Sequence, residues 1–117
     1  MSATLSPPSF WILTALVGAR RHGYEILSET THASAGRMSL KVTTLYSALE
    51  RLEREGLIAA DGDEIVNGRA RRYYVLTDHG TAALTAQVDA LEADARIARA
   101  RLAAARQSFA FGAARFA

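Results

Sequence analysis

Hydroxyl and guanidinium groups cluster at two places along this 117-residue chain, and both clusters suit hydrogen bonding to a polyanion. In the first, Thr43, Thr44, Ser47, Arg51 and Arg54 share one side of a helical projection. Near a helix N-terminus such groups can bond phosphate oxygens, which sets register, and reach base edges in a major groove. Tyr46 stands at the border of this face, where its hydroxyl would bond a phosphate while its ring packs inward. The second cluster is Arg69, Arg71 and Arg72, next to Asn67-Gly68. A two-stranded loop tipped with arginine can lie along the sugar-phosphate backbone or enter the minor groove. Alternation puts Arg69 and Arg71 on one strand face and Arg72 on the other. Glu50, Glu53 and Glu55 argue against DNA unless they lie away from the groove. Asp61, Asp63 and Glu64 would pair with the arginines when DNA is absent. The plain alternative is a solvated helix and loop.

No other chemistry is indicated. Without cysteine there is no disulfide framework, thiolate metal site or cysteine nucleophile. His22, His32 and His79 have no metal-ligand spacing, and His22 reads as a turn residue packing between helices. There is no glycine-rich phosphate loop, nucleophile elbow or paired acid and base, so neither an enzyme nor a cofactor is expected. A formal net charge of +2 neither demands nor excludes nucleic acid. The longest apolar run, residues 10–17, is too short to span a bilayer and follows no basic segment. A soluble cytoplasmic protein is expected.

The elements that must position these groups follow from pattern. Val42, Leu45, Leu49 and Leu52 recur at helical spacing, and Gly56 stands where a helix ends. Residues 57–59 and 72–76 read as strands, separated by the turn residues Asp61-Gly62-Asp63 and Asn67-Gly68. Upstream, Ser6-Pro7-Pro8 starts a helix to about residue 19, with Ile12, Leu13, Leu16 and Val17 as its apolar side. A second helix spans about residues 24–33. Three helices closed by a hairpin outline a winged helix-turn-helix; the expected class is mainly α with a small β-hairpin. From Thr77 a long helix continues to about residue 107. Its Leu84, Val88, Leu91, Ala95, Ala98 and Leu102 alternate four and three residues apart, the rhythm of a coiled-coil seam facing a second copy. The expected division is therefore 1–77 for the DNA-binding domain, 78–107 for the dimerisation helix and 108–117 for a flexible tail. Trp11 and Phe10 read as core or interface residues; a small aromatic effector, if one binds, would meet Trp11, Val88 and Leu91.

The same residues resemble the PadR family of bacterial transcriptional regulators. The resemblance rests on residues 22–26 (His-Gly-Tyr-Glu-Ile), Thr44-Leu45-Tyr46, Arg51-Leu52 and Glu55-Gly56-Leu57-Ile58. It continues through Gly68, Arg71-Arg72-Tyr73-Tyr74, Leu76-Thr77 and Gly80, covering about residues 8–84. It implies a homodimeric winged-helix repressor of the short branch, with a single C-terminal dimerisation helix and an approximately palindromic operator. It also implies release by a small molecule, as in many members. Three positions depart from the family. Lys41 replaces a small polar cap and opposes the helix dipole, although it could meet a phosphate. Ala70 interrupts the basic run of the wing. The C-terminal seam lacks the aromatics that hold flat ligands in some short members. The competing reading is a winged-helix module that binds protein, which salt would weaken far less than DNA binding.

Overall fold

The computed structural model describes the backbone of residues 4–115 and the side chains of residues 4–109. Residues 1–3 lie outside this range, as do the side chains of most of the expected tail. The elements are α1 (Pro7–Ala15), β1 (Arg21–His22), α2 (Gly23–Ala33), α3 (Val42–Arg54), β2 (Ile58–Val66), β3 (Arg69–Leu76) and α4 (Asp78–Arg115). Two compact units result, Met1–Thr85 and Ala86–Ala117.

In the first unit, Ser6 caps α1 by accepting the Ser9 amide at 3.3 Å, with both prolines in the first turn, where no N–H is needed. The helix stops at Ala15, short of the expected residue 19. Leu16 and Val17 donate to Leu13 and Thr14 in tight i→i+3 turns, and Gly18 takes a left-handed φ of +69°. This tightening turns Val17, expected in the core, out to 58% exposure. The freed carbonyl of Ala15 accepts the Arg21 Nε at 2.7 Å.

α2 opens with a reciprocal cap: His22 Nδ1 accepts the Glu25 amide, and Glu25 Oε1 accepts the His22 amide at 3.1 Å. α3 buries Leu45, Ala48, Leu49 and Leu52, whereas Val42, in its first turn, is exposed at the edge of the core. Its end is a Schellman motif. The amides of Gly56 and Leu57 donate to Glu53 and Leu52, Gly56 has φ +77°, and Leu57 seals the turn by burying its side chain.

The hairpin is longer than expected. β2 and β3 pair from Ile58↔Leu76 to Val66↔Arg69 around a two-residue turn, Asn67-Gly68, with both φ values positive as a type I′ turn requires. Asp61-Gly62 is not a turn but an irregularity in the ladder between Ala60 and Asp63. A third strand joins: Arg21↔Tyr74 and His22↔Tyr73 add β1 to the far edge of β3, giving the order β1-β3-β2. Ile12, Leu13, Leu16, Ile26, Leu45, Leu49, Leu52, Ile58, Tyr74 and Leu84 form one core.

Thr77 starts α4 by accepting the Gly80 amide at 2.9 Å while donating its hydroxyl to Gly56 O at 2.7 Å. Leu84, expected in the intersubunit seam, is only 9% exposed and belongs to the core of the first unit. The compact unit accordingly extends to Thr85 rather than ending at residue 77. In the second unit the helix runs to Arg115, past the expected end at residue 107. The stretch has no proline, and one glycine inside a helix costs only about 1 kcal/mol. Val88, Leu91 and Leu102 are exposed, Leu102 at 67%. Among the described residues no helix is long and apolar enough to cross a membrane, and no cluster could hold a metal ion.

Candidate nucleic-acid interface

Because Leu45, Ala48, Leu49 and Leu52 turn one side of α3 into the core, Thr43, Thr44, Ser47, Arg51 and Arg54 are exposed on the other. Thr43, Thr44, Ser47 and Arg51 line a shallow depression shared with Ser6 and Pro8 of the α1 N-terminus. Lys41 is the N-cap of α3 and makes no capping hydrogen bond, so its ammonium stays exposed beside the first turn. Arg51 is already engaged. Its guanidinium donates to Ser9 Oγ at 2.8 Å and lies 3.8 Å from Glu55 Oε1, so reaching a base edge would mean exchanging those partners.

The wing arginines separate into three environments. Arg69, in the last pair before the turn, is exposed. Arg71 crosses to the α2 side, with its guanidinium carbon 5.4 Å from the Tyr24 ring centroid and one terminal nitrogen 3.4 Å from His22 Nε2. Arg72, on the opposite face, donates to Glu53 Oε2 at 2.9 Å and so ties the wing to α3. Its worth as an exposed ion pair is about 0–1 kcal/mol. Glu53 and Glu55 are thus each paired with an arginine of the first unit.

The acidic side of the hairpin does not pair with the wing arginines as expected. Asp61 accepts from Arg20 at 3.1 Å, and Glu64 accepts the Tyr73 hydroxyl at 2.8 Å. Arg20 also lies over the Tyr73 ring, its guanidinium carbon 3.7 Å from the centroid. Sequence reasoning missed Arg20, His22 and Tyr24 as neighbours of the wing. The available signal was the basic Arg20-Arg21-His22 run between the first two helices. Hydrogen bonding to Glu64, more than any burial, raises the Tyr73 phenol above its ordinary pKa, while burial raises that of Tyr74. Trp11 packs edge-on against Phe10 at 5.2 Å, with Arg37 over its ring.

Three helices closed by an arginine-bearing hairpin, with the polar face of the third helix exposed beside it, define a winged helix-turn-helix module. Comparison with known proteins agrees. Residues 12–86 match the model of the PadR-like family of transcriptional regulators. The chain is 43% identical to the transcriptional regulator Rv3488 of Mycobacterium tuberculosis over 76 residues, 65% of this chain and 57% of that one. It therefore spans little more than half of that relative's length. A PadR family transcription regulator from Clostridium difficile superposes with a TM-score of 0.69 at 26% identity, covering 83% of this chain and 99% of that one. Bacillus subtilis PadR, solved in complex with operator DNA, superposes with a TM-score of 0.61 at 27% identity, covering 68% of this chain and 46% of that one. The chain belongs to the PadR-like family: it is a transcriptional regulator, not an enzyme.

Proposed function

We propose that this regulator is a homodimeric, cytoplasmic repressor that binds an approximately palindromic operator. Each subunit lays α3 in a major groove and rests the wing arginines on the flanking backbone or in the minor groove. The observation that carries this reading is the exposed Thr43-Thr44-Ser47 face beside a wing whose Arg69 and Arg71 have no carboxylate partner among the described residues. The operator-bound Bacillus subtilis relative supports it. Val88, Leu91, Ala95, Ala98 and Leu102 make up the dimer seam, their exposure being what a helix awaiting a partner would show. Half-sites would lie roughly 34 Å apart, one helical turn. Release by a small molecule is part of the proposal.

The test is a mobility shift on DNA upstream of the protein's own gene, at low and moderate salt, with random DNA as competitor. A salt-sensitive shift that survives the competitor supports the reading. Association with another protein that is indifferent to salt, with no shift on any selected genomic fragment, would replace it with the protein-binding alternative.

A further inference from the structure

We propose that the groove between the wing and the first turn of α2 is a seat for one backbone phosphodiester of duplex DNA. Arg71 supplies its cation, and the hydroxyls of Tyr24 and Tyr46 supply its hydrogen bonds. This rests on the DNA-binding reading above and adds to it a contact outside the recognition helix.

The groove is a cavity of about 380 Å³ whose walls include His22, Tyr24, Tyr46, Arg69, Arg71 and Arg72; no carboxylate lines it. Its inner cation, Arg71, differs from Arg72 and Arg20, which are paired, and from Arg69, which also lacks a carboxylate but is exposed. Arg72 is neutralised by Glu53 and Arg20 by Asp61, whereas Arg71 has no carboxylate within ion-pair distance among the described residues. Its Nε is buried without an acceptor, and the guanidinium is held by the face of Tyr24. His22 Nε2 lies 3.4 Å away but, with Nδ1 accepting the Glu25 amide, it carries the ring proton toward Glu25 and accepts nothing from Arg71. An aromatic face orients a cation without cancelling its charge. The full positive charge is left for an anion that enters the groove.

Gly23 supplies the second argument. It is the first residue of a helix, right after the His22 cap, and it is not among the residues with positive φ. Backbone conformation does not call for it, but space does. A Cβ there would stand 2.7 Å from the Tyr46 hydroxyl and 3.1 Å from its Cζ. The missing side chain lets the Tyr46 phenol lie across the start of α2 on the groove wall, opposite the wing. Tyr24 is about half exposed, so its hydroxyl is available from solvent. Two neutral donors around one guanidinium suit a singly charged phosphodiester, which offers two acceptor oxygens. The source is DNA rather than free phosphate because Tyr46 precedes Ser47 on the exposed face of α3, so a strand following that face passes this groove.

The test is fluorescence anisotropy of the full chain with a labelled duplex, titrated at several salt concentrations, on operator and random sequence. Arg71→Gln should weaken both DNAs by a similar factor and flatten the slope of log K against log salt by about 0.9. Tyr24→Phe should weaken both about tenfold, the order expected for a hydrogen bond to a charged group, with the slope unchanged. Gly23→Ala, which displaces the Tyr46 hydroxyl, should mimic Tyr46→Phe, and the double variant should be no weaker than either. Equal thermal midpoints show that these variants keep their fold. If the native chain binds with a salt slope but Arg71→Gln keeps that slope and Tyr24→Phe keeps its affinity, the seat is overturned while the regulator reading stands. If the native chain binds no duplex in a salt-dependent way, both fall. Replacing chloride by inorganic phosphate at equal ionic strength should leave binding unchanged. A loss that Arg71→Gln abolishes would reassign the groove to free phosphate and overturn the DNA assignment.

Discussion

Replacing Gly80 by alanine should destabilise this protein, although the same exchange in an exposed helix gains about 1 kcal/mol. A Cβ at position 80 would fall inside the contact radius of the Leu57 carbonyl oxygen, 3.0 Å from the Leu57 carbonyl carbon and 2.8 Å from Leu76 Cδ1. A leucine methyl can swing aside, but the Leu57 carbonyl cannot. It accepts the Thr77 amide at 3.2 Å, and the Leu57 amide is anchored to Leu52 in the Schellman turn. The first turn of α4 must therefore lift, which strains the Thr77 cap and loosens Leu84. Overpacking of this kind costs about 1–3 kcal/mol, more when backbone is the obstacle. A backbone obstacle calls for the upper end of that range, so after subtracting the propensity gain of about 1 kcal/mol the expected net loss is about 2 kcal/mol. Urea unfolding followed by Trp11 fluorescence and far-UV circular dichroism, at one protein concentration, would measure it. An alanine variant as stable as the native chain, or more stable, would refute the close approach of α4 to Leu57.

Other expectations follow from the same geometry. Arg51→Ala should cost more on the operator than on random DNA, measured by competition; equal losses would make Arg51 a backbone contact. A fragment ending at Thr85 should fold as a monomer in sedimentation, whereas one ending at residue 77, which lacks Leu84 of the core, should lose cooperative unfolding. Survival of the dimer in the longer fragment would remove the seam. Burial raises the Tyr74 phenol above its ordinary value of 10.0. Stability should therefore be intact below about pH 10 and fall as pH rises through the raised folded value. Tyr74→Phe should flatten that alkaline decline in urea midpoints, and an unchanged decline would place its cause elsewhere. Asn67→Val should cost about 1–2 kcal/mol against Asn67→Gly in the same unfolding assay, because a β-branched residue cannot easily adopt φ +52°.

Much of the architecture is local and could be read without coordinates. The spacing of Leu45, Leu49 and Leu52 demands a helix with one buried face, Gly56 ends it, Asn67-Gly68 turns the hairpin, and Thr77 starts α4. Each is a short-range matter of periodicity or of one residue's backbone freedom. What stayed hidden depends on partners distant in sequence. Two residues have no period, so β1 exists only because β3 offers it an edge. Asp61-Gly62 has turn composition, yet pairing on both sides makes it an irregularity within a strand. A four-three rhythm marks Leu84 and Leu102 alike, and only packing divides them between a core and an exposed stripe. The three wing arginines have one chemistry in the sequence. Glu53, Tyr24 and His22, brought close only by folding, leave Arg72 neutralised, Arg71 charged within a groove and Arg69 in solvent. Side-chain type and spacing are written into the chain. Which charges remain uncompensated is set by neighbours that only the tertiary fold supplies.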